Sequence, residues 1–134
     1  MKLASRIFLV ITLSALAFSF LATAKNKKVV FLADRGKNTE VHAHESGNAI
    51  LANALEESKL GFDTAQFKGW PTDPKAFDGA DSVVIFCNGG KGHLVMNHLD
   101  QFEKLIDSGV GFVFMHYAVE VPIGRAGVLM REAM

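Results

Sequence analysis

Ser82-Val83-Val84-Ile85-Phe86-Cys87 runs directly into Asn88-Gly89-Gly90-Lys91-Gly92-His93. The first half is a continuous apolar run of strand length, rich in β-branched residues and without the alternation of a half-solvated strand. It reads as a strand buried on both faces, the mark of a parallel sheet covered by helices. The second half is too glycine-rich for helix and reads as the loop leaving that strand. Upstream, Lys28-Val29-Val30-Phe31-Leu32-Ala33 repeats the buried-strand pattern. Between the two, Ile50, Leu51, Ala54 and Leu55 recur at helical spacing, and Gly61 stands where a helix-ending glycine belongs. Phe62 to Phe67 reads as a more polar strand near a sheet edge. Asp73-Pro74 reads as the cap and first residue of a short helical turn ending near Phe77. Downstream, Val95, Leu99, Phe102 and Ile106 mark one helical face, with His98 inside the helix and Asp100 and Lys104 as an i,i+4 pair. Ser108-Gly109 ends it, and Val110 to Met115 forms a fourth strand that stops at His116. This order predicts right-handed crossovers and an α/β fold, a flavodoxin-like three-layer parallel sheet. With four strands the sheet is expected to be incomplete. Ile123 to Met134 shows no clear period and no final strand or helix pair.

The 134 residues amount to one domain, 49% hydrophobic and 21% charged, with zero formal net charge. Such a chain is too apolar for disorder. It has no basic excess to bind nucleic acid and no polybasic run to hold an anionic membrane. A single cysteine excludes an internal disulfide framework and a cysteine-rich zinc site. Cys87 ends an apolar strand and lacks the glycine flanks of a nucleophile elbow, so it reads as a buried core thiol.

Lys2 and Arg6 precede a 15-residue apolar run, Ile7 to Leu21, and then the small-residue site Ala22-Thr23-Ala24. A membrane-spanning helix needs roughly 20 apolar residues, so this layout predicts a cleavable signal peptide over residues 1–24. The mature domain, residues 25–134, would carry 12 basic and 14 acidic residues. Its expected destination is the periplasm or the outside of the cell, with no stable membrane association after cleavage.

In open parallel sheets, ligands bind beyond the carboxyl ends of the strands. His42 and His44 follow the first strand, His93 follows the third, and His116 ends the fourth; only His98 falls elsewhere. Imidazoles converging from separate loops suit acid–base catalysis or a metal. The expected zinc ligands are His44, His93 and His116, and the expected catalytic groups are His116, His93 and Glu45. The metal-free rival uses His116 as general base. Asn88, Gly89 and Gly90 could offer backbone N–H groups to a developing anion, or merely permit a turn. No dinucleotide fingerprint and no Walker loop is present. Trp70, before Pro71, could stack on a sugar ring or pack over the sheet edge.

Several of these stretches taken together resemble the ThuA-like (trehalose utilisation) family. They are Lys28–Ala33, His44-Glu45 with Asn48-Ala49, Gly69-Trp70-Pro71 through Phe77–Asp81, and Phe86–His93. Gly109–Val113 with His116-Tyr117-Ala118-Val119-Glu120-Val121-Pro122 completes the set. The resemblance is clearest over residues 27–122. It implies a class I glutamine amidotransferase-like fold without the cysteine triad, since the place of the nucleophile reads His116-Tyr117. It also implies a longer domain, so the chain is expected to be partial. Relatives often carry Ser-His-Gly early in the first loop. Here that region reads Asp34-Arg35-Gly36-Lys37, so a site histidine is either absent or replaced by His42. The resemblance implies a carbohydrate or oxidised-sugar substrate and a hydrolase or isomerase reaction. The alternatives are a non-catalytic sugar-binding or scaffold domain and an inactive fragment. A homo-oligomer is also an expectation.

Overall fold

The computed structural model describes residues 25–34 and 42–134. The predicted signal peptide lies outside the described residues. Four strands, β1 (Lys27–Ala33), β2 (Phe62–Lys68), β3 (Ala80–Phe86) and β4 (Gly111–Met115), form one sheet in the order β2-β1-β3-β4. All three pairings are parallel. This is the flavodoxin-like α/β arrangement that the buried apolar runs predict, with β1 and β3 at the centre. Val30, Phe31, Leu32, Val83 and Ile85 are at most 1% exposed, so both faces of those two strands are covered.

Helix α1 (His44–Glu57) lies on one face, with Ala52 and Leu55 against Val29, Phe31 and Val84. Helices α2 (Leu99–Asp107) and α3 (Arg125–Ala133) cover the other, where Phe102 and Leu129 join Val30, Leu32, Val83 and Ile85. The Phe102 ring meets Phe112 edge-on at 4.9 Å, a favoured aromatic geometry. The third layer is partial. Val113 pairs with Val84 and shares α1's face, yet it is 50% exposed, because α1 does not extend over β4.

Four local expectations are corrected. The helix after β1 begins at His44, so its buried stripe is His44, Asn48 and Ala52, and Ile50 points to solvent. That helix ends at Glu57, and Gly61 instead turns the chain into β2 at φ +82°. His98 sits between a 3₁₀ turn (Leu94–Asn97) and α2 rather than inside one helix, and Asp100 pairs with Arg125 of α3. The tail after Pro122 does have a helical period: Arg125–Ala133 is a helix, with Ala126, Leu129 and Met130 buried at the i, i+3, i+4 spacing. The Asp73 cap bears out its reading, its carboxylate accepting from the Lys75 N–H at 2.9 Å.

Candidate functional site

Three imidazoles meet at the carboxyl edge of the sheet. His44 is the first residue of α1, His42 lies two residues before it, and His116 is the first residue after β4. His42, His44 and His116 each offer a ring nitrogen, and the three ligand atoms lie within 4.8 Å of one another. His116 Nε2 is 3.0 Å from His42 Nδ1, a hydrogen bond with one ring donating. The backbone of His116 is left-handed at φ +60°, a region that costs a non-glycine residue roughly 1–2 kcal/mol. Such strain at the end of a strand turns the side chain back over the sheet edge, and the 3₁₀ turn His116–Val119 follows at once. The Tyr117 ring stacks on His116 at 4.1 Å and forms the outer wall of the group.

The group grades from buried to open. His44 is 3% exposed, His42 half-buried and His116 exposed. His44 Nδ1 lies 2.7 Å from Asp34 Oδ1. Asp34 Oδ2 accepts from both the backbone N–H and the side-chain amide of Asn88, each at 2.9 Å. Burial alone would raise the Asp34 pKa, but the Asn88 N–H and the contact with His44 outweigh it and hold the carboxyl below its ordinary value. Among the described residues, His44 Nε2 is buried with no hydrogen-bond partner. A buried polar atom without a partner typically costs about 1–3 kcal/mol, which a ligand at that nitrogen would recover.

Several expected site residues have other roles. His93 is not in the group. It is 2% exposed, its Nε2 faces the Ala118 carbonyl oxygen at 2.9 Å, and its Nδ1 accepts from the Val95 N–H at 3.1 Å. Both nitrogens are spent on tying the third loop to the turn after β4, so it is neither ligand nor acid–base group. Glu45 faces β2 and pairs with Lys68 at 2.9 Å, away from the imidazoles. Two N–H groups of the glycine loop are already engaged. The Asn88 N–H is given to Asp34, and the Gly90 N–H to the Glu120 carbonyl. Gly89 is needed for close packing, since a Cβ there would collide with the Tyr117 carbonyl oxygen and Glu120. Trp70 is 6% exposed; its ring stacks on His98 at 5.0 Å and its N–H donates to Gln101 Oε1. Cys87 is buried as expected, and burial pushes its thiol up to about 11, which disfavours the thiolate a nucleophile needs.

His42 was placed at this edge but left out of the ligand set, and Asp34 was missed. His42 carries a signal in its spacing: His42-Ala43-His44 places two imidazoles two residues apart, which in extended chain puts them on one side. Asp34 carries none, because only the β1–β3 register sets it beside Asn88. A cleft of about 560 Å³ opens next to the imidazoles, lined in part by Asp34, Asn88, Thr72, Asn97 and the edges of Trp70 and His98. Asp34 links the two, lining the cleft while it contacts His44. No family model, curated protein or solved structure matches this chain.

Proposed function

We propose that this chain is an exported, zinc-dependent enzyme acting on a carbohydrate derivative by hydrolysis or isomerisation. The observation that carries the reading is the convergence of His42, His44 and His116 with a buried nitrogen on His44 that has no partner among the described residues. Three neutral imidazoles are a donor set suited to zinc, and three protein ligands leave a position open for substrate. A zinc ion held there would act as a Lewis acid toward a substrate oxygen and make a water molecule acidic near neutral pH. The remaining chemistry belongs to the chain itself. Substrate would reach the group from the exposed His116 side, and the cleft lined by Thr72 and Asn97 would offer their polar groups to sugar hydroxyls. The ThuA-like motifs supply the carbohydrate part of the proposal, and the N-terminal signal sequence the export. A purely sugar-binding role has less support, because Trp70 already stacks on His98 and has little open face to offer.

The test is metal analysis of protein purified without an affinity tag. Stoichiometric zinc is expected, lost in His42→Ala, His44→Ala and His116→Ala and retained in His98→Ala. Absence of stoichiometric metal from the unaltered protein would overturn the zinc reading. If His116→Ala then still abolished turnover of an oxidised sugar, the His42–His116 hydrogen bond would carry a metal-free mechanism with His116 as general base.

A further inference from the structure

The geometry points to Asp34 and Asn88 as a positioning pair that holds His44 as its Nδ1–H tautomer and leaves Nε2 as the nitrogen His44 offers to a ligand. Register Ala33↔Phe86 brings the ends of β1 and β3 side by side, so Asp34 and Asn88 leave neighbouring central strands next to each other. An ionised carboxylate only accepts hydrogen bonds. Asp34 Oδ2 is already taken by two Asn88 donors, one of them a backbone N–H that cannot rotate away. Oδ1 is therefore left facing His44 Nδ1 at 2.7 Å, and that nitrogen must carry the proton. In the neutral ring the proton-free nitrogen is then Nε2, the buried atom with no partner among the described residues. Asn88 thereby serves His44 through Asp34, a role that the glycine loop did not suggest.

Asp34→Asn tests this sharply. An amide can place its oxygen toward His44 or toward Asn88, not both. If its NH₂ faced the Asn88 donors, two donor groups would meet with no acceptor between them. If instead it faced His44, it would donate to Nδ1 and move the ring proton to Nε2. The same carboxylate-to-amide change behind a catalytic histidine gives the wrong tautomer in serine proteases. The second arrangement satisfies more donors, so the His44 tautomer is expected to switch.

The tautomer stands on its own geometry, while its consequence for affinity rests on the proposed metal centre, and the experiment separates the two. Long-range ¹⁵N–¹H spectra of the metal-free full chain, ¹⁵N-labelled at histidine, are recorded at neutral pH, and zinc affinity is measured by competition with a chromophoric chelator. Expected are a proton on His44 Nδ1 alone in the unaltered chain, its transfer to Nε2 in Asp34→Asn, and a roughly 10–100-fold loss of zinc affinity in that variant. Asn88→Ala, which keeps the backbone N–H, should show a smaller loss of affinity. It also provides the variant arm if Asp34→Asn does not fold. A proton on His44 Nε2 in the unaltered chain would overturn the inference, as would an Asp34→Asn variant with unchanged tautomer and zinc affinity. An unaltered chain with the Nδ1–H tautomer and no zinc binding would uphold the positioning pair and sink the metal centre.

Discussion

His93 shows how a residue selected for chemistry can serve structure. Its ring fills a gap between the third loop and the turn after β4, one nitrogen facing Ala118 and the other accepting from Val95. Burial disfavours the imidazolium, and despite the Ala118 carbonyl its pKa falls below the ordinary value of 6.5. The unfolded chain then binds a proton that the folded chain resists, so stability rises with pH between the lowered value and 6.5. His93 stabilisation is thus complete above about pH 6.5 and lost as pH falls below it. Chemical denaturation from pH 7.5 to 5 should show stability declining with acid. His93→Gln should be less stable at neutral pH and show a shallower decline. An equal slope in both proteins would mean that the His93 proton is not linked to folding. From sequence, His93 and His116 looked equivalent, each at a strand's carboxyl edge. What separates them is the set of partners, and the Ala118 carbonyl reaches His93 only through the fold.

Elements were legible wherever they are buried on both sides. Strands β1 and β3 announce themselves because their doubly covered stretches, Val29–Ala33 and Val83–Ile85, must be apolar, whereas α1 misleads because its buried face is unusual. That face presents His44, Asn48 and Ala52, two of them polar, while Ile50 is 69% exposed on the opposite side. An apolar-period search therefore selects the wrong stripe. Helix α3 was missed for a related reason: its buried positions include Ala126, a weak hydrophobic signal, and exposed Ile123 and Val128 blur the period. Leu129, 2% exposed, lies in the same core as Phe102 and Ile85. Leu129→Ala should therefore cost about 2–5 kcal/mol. Ile50→Ala, on the face that sequence reading assigned to the core, should stay within about 0.5 kcal/mol of the unaltered chain. Denaturant midpoints of the two variants measure both, and a larger loss from Ile50→Ala would put the α1 face in error.

At the scale of the molecule, the sheet leaves β4 as an edge strand whose α1-side face is open at Val113. An unpaired edge carrying apolar side chains favours association. Light scattering across a concentration series should reveal self-association, and Val113→Lys should reduce it; a monomer unaffected by concentration would refute this. The sequence by itself determined the α/β class, the parallel sheet and the edge where histidines gather. Burial on two faces demands unbroken apolar runs, and parallel strands put their outgoing loops on one side. It also marked the buried Cys87 and the Asp73 cap, which depend on neighbours a few residues away. Only the tertiary structure decided which histidines meet. Strand register sets Asp34 beside Asn88, the start of α1 buries His44, and the left-handed turn at His116 brings that ring to within 3.0 Å of His42. Each of these is a contact between residues far apart in the chain, and local patterning carries no information about such contacts.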